Sequence, residues 1–168
     1  LILLGYHAMA GTPEAFIDHT MSPKTWQNCW LNGKKAGELS IDAAIAADEG
    51  VPTIMATGDD KLCKEARNLI PGIRTATVKY SSGRYFTTLL PLEEAHSEIR
   101  EKAAEACRSI RTIKPFPVKK LAQLKVEITQ STDMPSDPAN FTNRKLVDNR
   151  TVEVTAPTVR EALYRLLV

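Results

Sequence analysis

The chain opens on an uninterrupted apolar run, Leu1-Ile2-Leu3-Leu4, stopped by Gly5. Four apolar residues in succession are the pattern of a strand buried on both faces in a parallel sheet. His7 then falls just past the strand's carboxyl end, the edge at which open α/β sheets place their ligands. From Trp26 onward large and polar side chains alternate as far as Trp30, and Asn32-Gly33 supplies the positive-φ residues of a tight hairpin. Gly37 allows a close turn before Glu38, and Leu39, Ala43 and Ala46 fall on one face of a helix that ends at Gly50.

Residues 51–57 read as a second buried strand. Gly58-Asp59-Asp60 turns the chain into a helix running to about Leu69 and closed by Pro71-Gly72. Residues 73–78 are a third strand. After the polar turn Ser81-Ser82-Gly83-Arg84, a short extended stretch reaches Pro91, which opens a helix at its first turn. There Ala95, Ile99, Ala103, Ala106 and Ile110 recur at helical spacing, a narrow alanine-rich stripe suited to close packing. Pro115-Phe116-Pro117 breaks the chain. Beyond it, residues 124–129 and 151–155 alternate as half-exposed strands do, a polar loop spans 131–150, and residues 157–168 close as an amphipathic helix.

Strand, hairpin, helix, strand, helix, strand, helix is the order of an α/β protein, a three-layer sandwich around a mostly parallel sheet. That core is expected over residues 1–113, with its N-terminal part missing from the chain, and residues 114–168 form a smaller α+β lobe. The chain has 168 residues, enough for one real core, and no internal repeat.

Composition narrows the partners. Net charge is +2, from 22 basic and 20 acidic residues interspersed along the chain, which leaves no nucleic-acid footprint. The densest basic stretch, residues 114–125, holds Lys114, Lys119, Lys120 and Lys125 interleaved with Pro115 and Pro117 and reads as a solvated linker. Cys29, Cys63 and Cys107 form no C-x-x-C pair, so neither a zinc knuckle nor a redox motif is present, and a reducing cytoplasm fits. No apolar run approaches the roughly 20 residues that span a bilayer, and no export signal is visible.

Candidate chemistry concentrates near the start. His7 stands beside the small residues Ala8, Ala10 and Gly11, so its imidazole can approach a divalent metal, or it can be satisfied by a backbone carbonyl. His19 follows Asp18 in a loop marked by Met21-Ser22-Pro23 and is a general-base candidate as well as a plain surface histidine. Glu38 suits the helix dipole, and as a ligand it would add a hard oxygen to imidazole nitrogen in a hydrolytic zinc site. Asp59 and Asp60 read as helix caps, Lys79 as a solvated strand-end lysine, and His96 as exposed.

Four stretches change the balance when taken in order: Gly5-Tyr6-His7-Ala8; Asp18-His19-Thr20-Met21; Asn32-Gly33 with Gly37-Glu38-Leu39; and Val51-Pro52-Thr53-Ile54-Met55-Ala56-Thr57-Gly58-Asp59-Asp60. Together they resemble the DppA-type zinc D-aminopeptidases, and the likeness continues through Leu69-Ile70-Pro71, Thr77-Val78-Lys79 and Leu90-Pro91. The resemblance implies an active site with two zinc ions, in which His7 and Glu38 are metal ligands and His19 acts in catalysis. It also implies short peptide substrates with D-amino-acid N-termini and a ring-shaped homo-oligomer enclosing the active sites. The family's N-terminal half carries an Asp-x-Glu-Gly motif and a further histidine that complete the ligand set. Neither occurs before His7, and the chain begins without Met, so part of the site is expected upstream and this chain alone is expected to be inactive. Two other readings remain open at this point: a non-catalytic α/β binding or assembly module, and an amidase of the same fold acting on small amides.

Overall fold

The computed structural model describes residues 1–134 and 144–167. In chain order its elements are β1 (Ile2–Tyr6), β2 (Trp26–Leu31), β3 (Lys34–Lys35), α1 (Glu38–Asp48), β4 (Met55–Asp59), α2 (Asp60–Leu69), β5 (Arg74–Gly83), β6 (Phe86–Leu89), α3 (Leu92–Arg108), β7 (Ala122–Ile128), β8 (Lys145–Asp148), β9 (Thr151–Ala156) and α4 (Val159–Leu167). They form two sheets. The first has the order β1-β4-β5-β6, parallel except for β6. The second, β3-β2-β7-β9-β8, is antiparallel throughout. The fold is the mixed α/β class that the element order implies.

Every residue of β4 is buried. Because successive side chains point to opposite faces, the sheet must be covered on both sides there, and α2 and α3 both pack on β4 and β5. This sheet is the middle layer. The hairpin of β2 and β3 turns on Asn32 and Gly33, both left-handed, with φ of 51° and 81°. Its long strand pairs with β7, so residues from both sides of the Pro115-Phe116-Pro117 break build the second sheet, over which α4 lies.

Helix α1 joins the two cores. Leu39 and Ala43 pack with Leu3, Met55 and Leu62, while Ile41 and Ala44 pack with Leu124, Val154 and Val159. A helix buried on two sides is fixed more firmly than one with the single apolar face that its sequence spacing suggests. Glu38, at its first position, inherits that fixity.

Five expectations are corrected. Strand β1 is not buried on both faces: Leu3 is in the core, while Ile2 and Leu4, which alternate to the opposite face, are 41% and 64% exposed, and β1 pairs with β4 alone at the sheet edge. The second strand begins at Met55 rather than residue 51, since Pro52 has no N–H to give a ladder. Strand β5 runs on through Ser81 to Gly83 instead of stopping at Val78, because β6 pairs with it through this stretch. In α3 only Ala106 is fully buried, with Ile99 and Ala103 partly packed and Ile110 in a following 3-10 turn. Within the polar stretch 131–150, β8 adds an edge strand, and residues 135–143 lie outside the described residues.

Gly58 shows how tightly the site end of the sheet is built. A Cβ there would collide with the Tyr6 carbonyl oxygen and Leu62 Cδ2, so neighbouring backbone must move to admit one. Gly58→Ala is expected to destabilise the protein by about 1–3 kcal/mol, read as a lower urea midpoint. An unchanged midpoint would mean that this close approach is not constraining.

Candidate metal centre

Strand β1 ends at Tyr6, after Gly5 at φ +74° has shifted its register against β4. His7 follows directly. Its Nδ1 lies 3.1 Å from the Ala8 carbonyl oxygen. A carbonyl cannot donate, so Nδ1 carries the proton and Nε2 is left facing the cleft. Tyr6 ties this strand end to α1 by donating its hydroxyl to Asp42 Oδ2 at 2.5 Å. Burial, then the bond to Asp42, pushes the Tyr6 phenol well above its ordinary range, and burial raises the Asp42 carboxyl.

His19 rides on a strained loop. Glu14, Ile17 and Met21 are non-glycine residues with φ of 57°, 50° and 58°, and a β-branched residue in this region is a genuine outlier. Each such residue costs on the order of 1–3 kcal/mol unless its surroundings impose the conformation. Hydrogen bonds do impose it here: Phe16 N–H to Asp59, Ala10 N–H to Thr20, Gly11 N–H to Asp18, and His19 N–H to the Ala8 carbonyl. The His19 Nδ1 lies 2.7 Å from the Ile17 carbonyl oxygen, so this ring too carries its proton on Nδ1 and turns Nε2 inward. The two imidazoles stack with centroids 3.6 Å apart.

Glu38 completes the group. Gly37 precedes it as the N-cap, and a Cβ there would run into Met9. The carboxylate therefore enters the cleft from the positive end of α1, as the dipole favours. Its Oε2 contacts His7 Nε2 directly and lies 3.9 Å from His19 Nε2. Burial works against the charged forms of both Glu38 and His7. Their mutual bond outweighs it, helped for Glu38 by the His7 and His19 charges and the Met21 N–H, so the Glu38 carboxyl is lowered and the His7 imidazole raised.

One donor atom from each of His7, His19 and Glu38 lies within 4.8 Å of the others. Two imidazole nitrogens with their far nitrogens tied to carbonyls, plus a carboxylate oxygen, are the mixed donor set of a hydrolytic zinc site, outer-shell orientation included. The residues fit the ion. His7 and Glu38 line a cleft of about 310 Å³ with Leu4, Gly5, Tyr6, Met21 and Asp42, and the side chains of His7, His19 and Glu38 each keep about a fifth of their surface exposed (20%, 22% and 18%). A larger cleft of about 500 Å³ lies beyond Met9 and Gly37.

All three residues singled out in the sequence thus come together. Asp59 does cap α2, accepting from Leu62 N–H, but also accepts from Phe16 N–H and Ser81 Oγ, which anchors the His19 loop. His96 is exposed. Lys79 is not simply solvated: its Nζ lies 4.8 Å over the Phe16 ring. Lys125 belongs to β7 rather than a linker, 4.4 Å over Trp30. The sequence reading missed Arg84, which binds the Asp18 carboxylate and carbonyl, and Glu65, which accepts from Met9 N–H at 2.9 Å. Their partners are distant in sequence, so no local pattern marks them.

Scaffold and donors together define an α/β protein with a candidate mixed nitrogen–oxygen metal centre at a strand end. The chain belongs to the D-aminopeptidase family, Peptidase M55, matching it over residues 1–168. It is 36% identical over 115 residues to the D-aminopeptidase of Bacillus subtilis (strain 168), an alignment covering 68% of this chain and 41% of that protein. Its fold is similar to the solved structure described as the zinc-dependent D-aminopeptidase DppA from Bacillus subtilis, a self-compartmentalizing protease. The TM-score is 0.85 at 29% identity, covering 98% of this chain and 60% of that one. The chain thus spans less than two thirds of the length of either relative. Among the described residues no helix is long and apolar enough to cross a membrane.

Proposed function

We propose that this protein is a zinc aminopeptidase that hydrolyses short peptides or amides with D-amino-acid N-termini. The observation that carries the reading is the convergence of one donor atom each from His7, His19 and Glu38 to within 4.8 Å of one another, in a chain of the D-aminopeptidase family. His7 and Glu38 are the metal ligands in this proposal, and His19 is the catalytic residue. Bound zinc, two ions per complete site, would supply Lewis acidity that activates water and polarises the scissile carbonyl. Two ions need more donors than these two ligands offer.

The chain's own contribution is positional and acid–base. The Ala8 carbonyl fixes His7 so that Nε2 is its donor, and, against burial, the bond to His7 holds the Glu38 carboxyl below its ordinary range. With Nδ1 protonated towards Ile17, His19 presents a basic Nε2 to the cleft, where it takes a proton from the attacking water and returns it to the leaving amine. The relative described as self-compartmentalizing supports assembly into a ring of identical subunits. Exposed Tyr85, Phe86, Leu89 and Leu92 offer apolar surface for such contacts.

The test uses the protein encoded by the complete gene, with zinc added and then chelated, against D-Ala and L-Ala amides and dipeptides. D-substrates are expected to be cleaved, L-analogues at least about tenfold more slowly, and chelation should abolish turnover until zinc is restored. Turnover indifferent to chelation would overturn the metallopeptidase reading, and preference for L-substrates would overturn the stereochemical part.

A further inference from the structure

Three left-handed residues surround His19, and the most costly of them, Ile17, is 40% exposed, so core packing does not hold it in place. What holds it comes from the β5–β6 hairpin. The Ile17 N–H donates to the Arg84 carbonyl oxygen at 2.9 Å. The Arg84 guanidinium donates to the Asp18 carbonyl oxygen at 2.6 Å and to the Asp18 carboxylate, whose other oxygen accepts from Gly11 N–H at 2.7 Å. The Ile17 carbonyl is in turn the acceptor for His19 Nδ1. One residue of the hairpin therefore grips both residues that precede His19: its carbonyl holds the Ile17 N–H and its guanidinium the Asp18 carbonyl, on either side of the Ile17–Asp18 peptide whose carbonyl sets the His19 tautomer.

We infer that Arg84 is a positioning residue for His19: it clamps the strained 14–21 loop so that the Ile17 carbonyl keeps the proton on Nδ1 and leaves Nε2 basic in the cleft. Without the guanidinium, Asp18 loses its cation and the donor to its carbonyl, only the Arg84 backbone carbonyl still holds the Ile17 N–H, and the Ile17–Asp18 peptide can turn its carbonyl away from the ring. A free neutral imidazole favours the proton on Nε2, so His19 would then offer the cleft a donor where an acceptor is required. The hairpin tip and the His19 loop are coupled through this one residue, by its backbone carbonyl and its guanidinium, the latter across a sequence separation of 66 residues.

The inference rests on the peptidase reading only for its kinetic arm. Long-range ¹H–¹⁵N NMR of the histidine rings, in the zinc-free protein at alkaline pH, is expected to show His19 with its proton on Nδ1. In Arg84→Ala the ring should shift to the Nε2-protonated form, and Arg84→Lys, which retains the cation, should restore much of the Nδ1 form. In the zinc-loaded enzyme Arg84→Ala should lower kcat about tenfold to a hundredfold while KM stays within about twofold. If Arg84→Ala fails to fold, Asp18→Asn carries the same test, because it removes the charge from the other side of the pair. A His19 that stays protonated on Nδ1 in the variant, or a kcat equal to that of the unmodified enzyme, would overturn the clamp. An unmodified enzyme with no zinc-dependent turnover would instead sink the peptidase reading and leave the NMR comparison intact.

Discussion

Glu38→Ala is expected to remove metal-dependent turnover while leaving the protein folded. The loss should be about a thousandfold or more, the rate equivalent of the several kcal/mol that a Lewis acid contributes. Glu38 provides the only carboxylate oxygen in the cluster with His7 and His19 among the described residues, so the variant leaves two imidazoles and no hard donor. The fold survives because α1 is held by Leu39, Ile41, Ala43 and Ala44 in two cores, and Glu38 itself is only partly buried. The helix loses a favourable charge at its first turn, a cost of about 0.3–1 kcal/mol. Zinc stoichiometry and a thermal melt measured on the same sample separate the two effects. Unfolding with metal binding unchanged would contradict the role given to Glu38.

Asp59→Ala should have the largest effect on stability, about 3–5 kcal/mol from the desolvated partners it leaves behind. The Asp59 carboxylate is fully buried and accepts at 2.8 Å from Leu62 N–H, at 2.9 Å from Phe16 N–H and at 2.9 Å from Ser81 Oγ. Removing it uncaps α2, frees β5 from the end of β4 and releases the His19 loop in one step. Asp59→Asn should recover only part of the loss: its amide oxygen can still cap Leu62, but its NH₂ would face the Phe16 N–H, another donor. Urea midpoints of both variants, with amide exchange of residues 12–20, check this. If Asp59→Ala costs less than about 1 kcal/mol, it is an ordinary helix cap and not the anchor of the loop.

The features legible in the sequence were those in which a local rule and the tertiary structure agree. Asn32-Gly33 makes the hairpin, Asp59 opens α2, Gly37 opens α1, and His7 stands just past the end of β1. The site residues were legible as three separate candidates whose bland readings were equally physical, and the resemblance of the ordered motifs joined them. Their convergence was not legible. It depends on α1 being wedged between two cores and on a loop turned by Ile17 and Met21, residues whose type gives no sign of a left-handed backbone. Where expectation failed, tertiary context decided: four apolar residues at 1–4 imply burial on both faces, yet only the face that carries Leu3 is covered. Arg84 looked like part of a polar turn because its partners sit in a loop far back along the chain.

The claim on which the rest depends is that His7 and Glu38 hold zinc. Anomalous diffraction at the zinc edge, from zinc-loaded crystals of the protein encoded by the complete gene, is expected to place a peak between His7 Nε2 and the Glu38 carboxylate. The same peak should be absent from crystals of His7→Ala. Zinc-bearing crystals of the unmodified protein with no anomalous peak in this cleft would contradict the claim.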